Sequence, residues 1–459
     1  AFRNSGTLEI ERIELAPEST TVYIQAYFRP HNWIRISSET YIRAGAEGEK
    51  LTVRSADGMP LDTEFYMPET GRHDFSLSFP PVDPKTAKID LIESDCPDCF
   101  KIYDIDLTGK KAKPGRSALA KKYKKTAKIH SKCGILTDST AKKRNMEGFF
   151  MAEAKFKRPE LTDRDLIDFY FKKYPSRSCD RTFANVYLWA RFYEVEFAQY
   201  NNVLLFRDNS AGYGYAFPAG EDEDVKAAIE NIMKWEKEKG VPFCLYGVTK
   251  ENFAKLETWF PGKFDITYHR DEADYVYESE KLATLSGKKL HGKRNHVNKF
   301  KALHGDNWSY ETITEDNLEE CFQMALKWRN LNGCEDDEEK NSEMCVTLNS
   351  LRLYKELNLI GGLLRVGDEI VAFTIGEAVN DDTFVVHIEK AYVDIEGAYT
   401  MINQQFVEHE IAGKYKYTNR EDDVGEEGLR KAKLSYKPVF MVEKGVVTLN
   451  EDSKKECAK

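Results

Sequence analysis

The sequence predicts an α+β protein in which a small all-β domain precedes two units of one α+β type. Three observations predict this class. The chain has 459 residues, which is more than one hydrophobic core usually organises. Residues 1–108 alternate apolar and polar side chains with the period of β-strands. From residue 151 onward one order of elements occurs twice: helices, then an antiparallel meander, then alternating helices and strands.

Residues 1–108 carry the strand patterns. The stretches "TTVYIQAYF" and "DFSLSF" alternate with period two, "KIDLI" and "FKIYDIDL" follow, and Gly, Pro and Asp clusters separate them. A β-sandwich of about 100 residues fits this pattern. The domain also holds the pair Cys96 and Cys99, but a strand follows where a redox pair needs a helix N-terminus. We therefore expect a structural or incidental role for the pair.

The net charge of −10 is distributed unevenly along the chain. Residues 110–144 contain thirteen Lys or Arg and one acid, Asp138. Because this stretch has little apolar periodicity, residues 109–150 are predicted to form a basic linker. Non-specific binding of nucleic acid or of an anionic surface is the alternative role for it.

Membrane insertion and disulfide stabilisation are not indicated. No stretch approaches the roughly 18 apolar residues that a membrane span needs. The nine cysteines are scattered and odd in number, which does not fit a disulfide framework. We expect a protein without a transmembrane segment in a reducing compartment, the cytoplasm.

The two α+β units are expected at residues 151–285 and 286–459. The first has helix patterns near 161–174, after Asp180, near 222–239 and near 250–260, with strands "VEFAQYNNVLLFRD", "GYGYAFP", "FCLYGV" and "FDITYH". The second has helix patterns near 314–331 and 338–358, from about 398 and at "EEGLRKAKL", with the hairpin "GGLLRVGDEIVAFTIGEAVNDDTFVVHIEKA" and strands "YKYTNRE" and "VFMVEK".

A basic helix is predicted at the start of the second unit, in "SGKKLHGKRNHVNKFKA". With Ser286 as its cap and 100° of turn per residue, Lys289, Lys293 and His296 fall on the same arc as its apolar side chains. Arg294 and Asn298 fall on the other side. Cations on an apolar face are costly to bury unless an anion meets them. The alternatives are a phosphate or carboxylate site and a solvated face with snorkelling lysines.

A second candidate region follows the strand "FVVHIEKA". In "YVDIEGAYTMINQQF" a loop with Gly397 precedes a helix whose first amides, at Ala398 and Tyr399, are suited to bind an anion or polarise a carbonyl. A glycine required only by the backbone turn is the alternative. Of His387 and Glu389 on the strand itself, only one is expected to face the cleft.

The stretch "NREDDVGEEGLRKAKLSYKP" brings carboxylates and cations together in a strand, a turn and a helix. A salt-bridged surface is the usual meaning of alternating charges. The same residues nevertheless provide both requirements of acyl transfer, a proton acceptor and cations for a phosphate or an oxyanion. Glu389 and Asp422 are the candidate proton acceptors.

Five separated motifs occur in the order typical of one family: "CDRTFANVYLW", "YVYESEKLATLSGKKLHGKRNHVNKF", "HIEKA", "GAYTMINQQF" and "NREDDVGEEGLRKAKLSY". Together, over about residues 160–445, they resemble the C-terminal domain family of phosphatidylglycerol lysyltransferase. The resemblance implies two acyl-CoA N-acyltransferase (GNAT)-like folds around a central cleft. It also implies transfer of an acyl or aminoacyl group to an amine or hydroxyl. Residues 1–108 resemble the β-rich domain that precedes thioredoxin-like modules in some Bacteroides envelope proteins, which implies a scaffold role without redox activity.

Under this resemblance the basic helix faces the phosphate of a donor, which is either charged tRNA or acyl-CoA. The expected donor phosphate ligands are Lys289, Lys293, Arg294, His296 and Asn298, joined by Arg430, Lys431 and Lys433. In GNAT enzymes the Gly397 position belongs to a pyrophosphate loop, but Asp394 and Glu396 stand in this loop and would repel a pyrophosphate. This difference favours charged tRNA as the donor.

The function expected from the sequence is aminoacyl transfer from charged tRNA to an acceptor that the sequence does not identify, either a small molecule or a lipid. The alternatives are an acyl-CoA-dependent N-acyltransferase and a non-catalytic module that binds tRNA or an anionic lipid. Direct transfer needs positioning, an oxyanion stabiliser and a proton acceptor. We therefore expect no tightly bound cofactor, no metal and no DNA partner.

Overall fold

The computed structural model describes residues 2–3, 7–28, 30–44, 48–94, 99–108, 154–190, 192–209, 214–332 and 338–450. The predicted basic linker at 109–150 and Cys96 lie outside the described residues. The predicted fold class is confirmed: an all-β region precedes a mixed helix and sheet region with two large sheets.

The N-terminal region consists of short strands: β1 Phe2–Arg3, β2 Leu8–Ala16, β3 Ser19–Tyr27, β4 Trp33–Ile34, β5 Tyr41–Arg43, β6 Leu51–Thr52, β7 Ser55–Asp57, β8 Phe65–Tyr66, β9 Arg72–Phe79, β10 Lys88–Ile92 and β11 Lys101–Asp106. They form sheets in the orders β1-β11-β10-β5-β6, β2-β3-β9-β7 and β4-β8. Val22 and Leu77 of one sheet share a buried core with Ile42 and Leu91 of another. The alternation of apolar residues thus places one face of each larger sheet in a common core.

The first α+β sheet is assembled largely from residues 195–268. The elements are α1 Arg164–Lys173, α2 Phe183–Trp189, β12 Val195–Tyr200, β13 Val203–Asp208, β14 Gly214–Ala216, α3 Asp222–Lys239, β15 Cys244–Val248, α4 Lys250–Trp259 and β16 Phe264–Tyr268. Thr182 caps α2 by accepting a hydrogen bond from the Asn185 amide, which satisfies one of the free amides of the helix start. The sheet order is β12-β13-β14-β15-β24-β16.

The second α+β sheet is larger. Its elements are β17 Asp274–Glu278, α5 Ser279–Thr284, α6 His291–His304, β18 Trp308–Thr312, α7 Leu318–Leu331, α8 Glu338–Arg352, β19 Ile360–Val366, β20 Glu369–Asn380, β21 Thr383–Ala391, α9 Ala398–Phe406, β22 Tyr417–Asn419, α10 Glu427–Ser435 and β23 Phe440–Val442. The last strand, β24 Gly445–Leu449, belongs to the first sheet. The sheet order is β18-β19-β20-β21-β22-β17-β23.

The two sheets exchange strands. β24, from the C-terminal end, lies antiparallel between β15 and β16 in the first sheet. β17, which precedes residue 286, pairs with β22 and β23 in the second sheet. The predicted boundary at 285/286 therefore falls between strands that pair within one sheet. Each of the two sheets contains one strand from the other side of this boundary.

The predicted basic helix begins later than its sequence pattern indicated. A 3-10 turn occupies Lys288–Leu290 and α6 starts at His291. The expected Ser286 cap is wrong, since Leu290 holds the N-cap position and makes no side-chain cap bond. Leu290, Val297 and Phe300 are buried as the predicted apolar arc requires, but Leu303, the fourth residue of that arc, is exposed.

Removing β24 is expected to unfold the first unit. In a chain ending at Gly445, β15 and β16 lose their shared partner strand, together with Val447, which is fully buried. Each buried Val or Leu contributes about 1.5–3 kcal/mol, so we expect the cooperative thermal transition of this unit to be lost. Circular dichroism melting of that chain and of one ending at Asn450 measures this. Equal midpoints for the two chains would contradict the strand exchange.

Candidate functional site

A cavity of about 800 Å³ lies where the two α+β units meet. Each sheet contains one parallel pair of strands, and each pair is short. β14 and β15 pair only at Tyr215 and Ala216, and β21 and β22 pair only from Thr383 to Val385. Beyond these positions the strands no longer hydrogen-bond to each other, and the following residues of β21, from Val386 to Lys390, line the cavity. The cavity therefore begins where the backbone ladders end.

An ion pair between Glu389 and Arg420 forms part of the cavity wall. Nη2 of Arg420 lies 2.9 Å from Oε1 of Glu389, and Nδ2 of Asn403 donates to Oε2 at 3.1 Å. The guanidinium carbon of Arg420 lies 4.8 Å from the ring centroid of Tyr436. Burial alone would lower the pKa of Arg420, but the Glu389 carboxylate raises it above its ordinary value. The pair thus holds a permanent cation at a fixed position.

Lys293 of α6 faces the same wall. Its ammonium lies 4.0 Å from the ring centroid of Tyr436, a cation–π contact. Burial and the nearby Arg420 guanidinium lower the pKa of Lys293 to about 8, against the opposing effect of Glu389. Near neutral pH, Lys293 therefore exchanges its proton readily.

The loop after β22 is fixed by buried ionic contacts. Nζ of Lys433 donates to the carbonyl oxygen of Arg420 at 2.6 Å and to that of Asp422. Fully buried Asp423 accepts two hydrogen bonds from Arg430, at 2.9 and 2.6 Å. Burial would raise the pKa of Asp423, but the bonds from Arg430 and Tyr275 lower it to about 2. These charges hold Asp422 on the cavity wall.

His387 links this loop to the sheet. Its Nδ1 lies 2.7 Å from Oε1 of Glu421, and its Nε2 lies 2.9 Å from Oε1 of Glu377 on β20. Both His387 and Glu389 line the cavity. The register between β20 and β21 shifts at His387, since Gly376 pairs with Val386 and Ile375 with Ile388. The alternation of a regular strand therefore does not apply between His387 and Glu389, and the expectation that only one of them faces the cleft stays a prediction.

The first unit contributes the other wall. Apolar and aromatic side chains of α2 and its sheet, among them Trp189 and Phe217, line it together with Arg181. Nζ of Lys444, which lies just before β24, is 2.8 Å from Asp274 and 3.0 Å from Asp180. Arg181 and Lys444 were not singled out from the sequence, since "CDRTFANVYLW" reads locally as a helix cap and "VFMVEKG" as the end of a strand. Only the family motif pointed to the first of these stretches.

The predicted donor ligands on α6 divide into two groups. Lys293 lines the cavity, whereas Lys289, His296 and Asn298 are exposed outside it. Arg294 donates to the carbonyl oxygens of Leu285 and Gly287, the latter at 2.8 Å. The expected common arc of Lys289, Lys293 and His296 is thus not seen. Lys289 lies in the 3-10 turn before α6, and on α6 itself Lys293 is half-buried whereas His296 is exposed.

The predicted ligands on α10 also differ in their surroundings. Lys431 is exposed, and it lies outside the residues that line the cavity. Nη2 of Arg430 is 2.8 Å from Asp271 in addition to its bonds to Asp423. Lys433 lines the cavity, yet its ammonium donates to backbone carbonyls. The charges of Arg430 and Lys433 are therefore already compensated by protein groups.

Gly397 is required by the backbone. It holds a left-handed conformation with φ of 86° at the N-cap of α9, where residues with a side chain are strained. A Cβ on it would lie 2.5 Å from the carbonyl oxygen of His296. Ala398 is buried and Tyr399 lines the cavity. The loop thus lets α9 pack against α6.

The described part of the chain has neither a metal-binding cluster nor a membrane-spanning helix. The described residues contain no group of three His, Cys, Asp or Glu side chains placed to hold a metal ion. Among the helices of the described ranges, none has the length and apolar character that crossing a bilayer requires.

Comparison with solved structures gives a protein of unknown function from Bacteroides thetaiotaomicron VPI-5482. It is 39% identical, with a TM-score of 0.62 over 65% of this chain and 100% of that chain. The C-terminal domain of a putative lysylphosphatidylglycerol synthetase from Agrobacterium fabrum is 13% identical, with a TM-score of 0.47 over 65% of this chain and 95% of that one.

A comparison with curated proteins gives an uncharacterised protein of Mycoplasmoides gallisepticum. It is 29% identical over 194 residues, which are 41% of this chain and 60% of that protein. The chain therefore spans less than two thirds of that relative's length. The resemblance of residues 1–108 to Bacteroides envelope domains stays a prediction.

The family model for the phosphatidylglycerol lysyltransferase C-terminal region matches residues 171–447. This range contains all five motifs in full and both sheets that enclose the cavity except the last two residues of β24. Since the match covers more than half of the chain, the protein belongs to the phosphatidylglycerol lysyltransferase C-terminal domain family.

Proposed function

We propose that this protein is an acyltransferase that moves an aminoacyl group from charged tRNA to an amine or hydroxyl acceptor inside the cavity. Membership of the family supports acyl transfer as the reaction class. The observation that supports the proposal most is the convergence of Asp422, Arg420 and Lys293 on one cavity wall. A carboxylate is a proton acceptor, and two fixed cations stabilise the oxyanion of acyl transfer.

Asp422 is better placed than Glu389 to accept the proton. Both oxygens of Glu389 are engaged, one by Arg420 and the other by Asn403. The Asp422 side chain accepts one weak bond in the described structure, from the Val424 amide at 3.3 Å. In this assignment Glu389 orients the Arg420 cation, and Asp422 takes part in the proton transfer.

The reaction then proceeds without a covalent enzyme intermediate. The acceptor nitrogen or oxygen gives its proton to Asp422 and attacks the ester carbonyl carbon of the donor. The negative charge that forms on the carbonyl oxygen faces Arg420 and Lys293. When the bond to the tRNA ribose breaks, the ribose oxygen takes the proton back from Asp422, so that no net proton is consumed.

The surroundings of α9 favour a tRNA donor over acyl-CoA. Its N-terminus adjoins the carbonyl oxygen of His296, and Glu396 lies in the preceding loop with Lys299 at 2.5 Å. A carbonyl oxygen and the carboxylates of this loop oppose a pyrophosphate at that position. The exposed Lys289 and His296 instead suit a nucleic-acid backbone that stays outside while only its 3′ end enters.

The proposed donor contacts follow from this arrangement. Lys289, Lys293, His296 and Asn298 remain candidate phosphate ligands, and exposed Lys431 extends the set. Arg294 keeps one role in closing the turn before α6. We leave Arg430 and Lys433 out of the donor site because their charges bind protein groups. Acyl-CoA transfer and pure binding are the competing functions.

The Asp422→Asn variant is expected to lose turnover and keep donor affinity. Asn preserves the acceptor for the Val424 amide but no longer takes a proton, and loss of a general base costs about 10²–10⁴-fold in rate. Aminoacyl transfer from charged tRNA to hydroxylamine or a mixture of lipids and amines measures turnover, and filter binding measures affinity. Lys433→Met is unsuitable as a control because it disrupts the loop, whereas Glu278→Gln on β17 is a matched carboxylate substitution outside the cavity.

Three outcomes separate the competing functions. Full turnover in Asp422→Asn would remove Asp422 from the mechanism. Binding of charged tRNA by the wild type without any transfer would favour the binding module. Transfer from acyl-CoA alone would favour the CoA-dependent enzyme.

The position of Asp422 depends on the charge of His387. Burial would lower the pKa of His387, but the Glu377 and Glu421 carboxylates on its two sides raise it to about 10. The imidazolium thus ties the loop that carries Asp422 to β20. Because the folded pKa exceeds the ordinary value of 6.5, this contribution to stability is complete below pH 6.5 and disappears as the pH rises through about 10.

The His387→Gln variant is expected to lose stability in a pH-dependent way. Removing one partner of a buried ionic group costs roughly 3–5 kcal/mol. The difference from wild type in free energy of unfolding should therefore be largest at pH 6 and shrink steadily toward pH 10. Denaturant unfolding across this range measures it, with exposed His296→Gln as the control. A difference that does not change with pH would contradict a charged His387.

A further inference from the structure

Most cations on the cavity wall are compensated within the described structure. Arg420 is paired with Glu389, Lys390 lies 2.5 Å from Glu343, and the ammonium groups of Lys433 and Lys444 bind carbonyls and carboxylates respectively. Within the described ranges, three cavity-lining cations make no ion pair: Lys433, whose ammonium is satisfied by backbone carbonyls, Lys293 and Arg181. The pKa of Lys293, lowered to about 8 by burial and by Arg420, makes its neutral form accessible although most molecules keep the charge at neutral pH. An arginine does not have that option, since it stays protonated in proteins.

Arg181 makes few contacts with the rest of the described chain. It lies immediately before α2, and its Nη2 donates to the carbonyl oxygen of Phe217. Its guanidinium carbon lies 5.5 Å from the ring centroid of Phe171. A guanidinium has five N–H donors, and no other hydrogen bond from Arg181 to the described residues is formed. Burial lowers the pKa of Arg181, an effect that Asp180 opposes only in part.

The carboxylates nearby do not neutralise Arg181. Asp180 lies next to it in sequence, but its side chain binds Lys444 at 3.0 Å and the Ser178 hydroxyl at 3.1 Å. Asp208 also lines the cavity, yet it forms no ion pair with Arg181. Arg181 is part-buried at the cavity wall and makes no ion pair with either carboxylate. Such a charge costs less than a fully buried one, but its remaining N–H donors are open to an anion that enters the cavity.

We propose that Arg181 binds an anionic group, a carboxylate or phosphate, of the acceptor and so selects acceptors that carry one. This inference rests on the proposed function in one respect only, namely that the bound ligand is identified as the acceptor. Arg181 belongs to the first unit, whereas Lys293, Arg420 and Asp422 all belong to the second. An acceptor anchored by its anion at Arg181 would reach its nucleophile across the cavity toward the second-unit wall. The planar guanidinium suits both anions because it offers paired donors.

The first test measures stability without ligand. If Arg181 serves a ligand, Arg181→Gln removes an uncompensated charge while keeping a donor for the Phe217 carbonyl. Its melting midpoint should therefore equal or exceed that of the wild type. Arg420→Gln, which breaks a compensated pair, should lower the midpoint. A clear fall in the midpoint of Arg181→Gln would assign Arg181 a structural role and overturn the proposal.

The second test measures anion binding by the full chain. Inorganic phosphate and acetate are titrated at constant ionic strength, and the rise in melting midpoint is followed. Arg181→Gln should weaken the apparent affinity about tenfold or more, in line with the loss of a charged hydrogen bond. Arg181→Lys should retain part of it, and Lys234→Gln, an exposed position on α3 outside the cavity, should retain all of it. An unchanged response in Arg181→Gln, with its loss in Lys293→Met, would place the anion at Lys293 and overturn the proposal.

A third experiment distinguishes a lipid headgroup from a soluble molecule as the source of the anion. Co-sedimentation with vesicles of phosphatidylglycerol, against vesicles of phosphatidylcholine, tests a lipid headgroup. Arg181-dependent binding to the anionic vesicles would assign the group to a lipid, and phosphate or acetate binding without vesicle binding would assign it to a soluble acceptor. None of these readouts needs aminoacyl transfer. A failure of the proposed function would therefore leave the anion result intact, and a failure of anion binding would leave the function open.

Discussion

The cavity depends on one backbone constraint, the early end of a parallel ladder in each α+β sheet. Two residue pairs join β14 to β15, and three join β21 to β22. Because a strand without a neighbour leaves its backbone groups unpaired, other groups must satisfy them. After β22 the loop is held instead by side-chain bonds, from Lys433 to two carbonyls and from His387 to Glu421. The end of the backbone hydrogen bonds between the two strands therefore forms a polar site whose groups are satisfied by side chains.

Charge compensation divides the site into fixed and available groups. Arg420 has a carboxylate partner, and Asp423 is surrounded by cations, so these groups stabilise the folded wall. Asp422 and Lys293 have weaker contacts within the described residues, and Arg181 makes no ion pair there, with Asp180 compensating its charge only in part. Groups that the protein leaves uncompensated are the ones a substrate can complement, and they reduce stability until it binds. The strand exchange through β17 and β24 adds to this organisation because it ties both walls to both sheets.

Much of the architecture follows from local sequence patterns. Period-two alternation in "TTVYIQAYF" and the helical spacing after Asp180 depend on nearest neighbours, and the structure has strands and helices there. The position of Lys293 was also predictable, because its apolar neighbours on α6 fix the buried side of the helix. The pairing of strands that are far apart in the sequence was not predictable. The pairing of β24 with β15 depends on residues some 200 positions apart, which no local pattern records.

The same limit explains which site residues were misjudged. Arg430 looked like a free cation because its partner Asp271 lies 159 residues away. Arg181 looked like an ordinary residue before a helix, since neither the cavity nor the absence of a nearby counter-charge is visible in "CDRTFANVYLW". Whether a cation has a counter-charge depends on the tertiary structure. This property separates the cations that we propose to bind a ligand from those that stabilise the fold.

The most direct test of the account is thermal stabilisation of the full chain by donor. The melting midpoint is measured with charged tRNA, with the same tRNA without its amino acid, and with acetyl-CoA. Each ligand for which a dissociation constant is measured is added at the same multiple of that constant. A ligand at 100 times its dissociation constant adds about 2.7 kcal/mol, or several degrees in the melting midpoint. The account predicts the largest shift with charged tRNA and none with acetyl-CoA. A shift with acetyl-CoA alone, or equal silence from all three, would contradict an aminoacyl-tRNA donor.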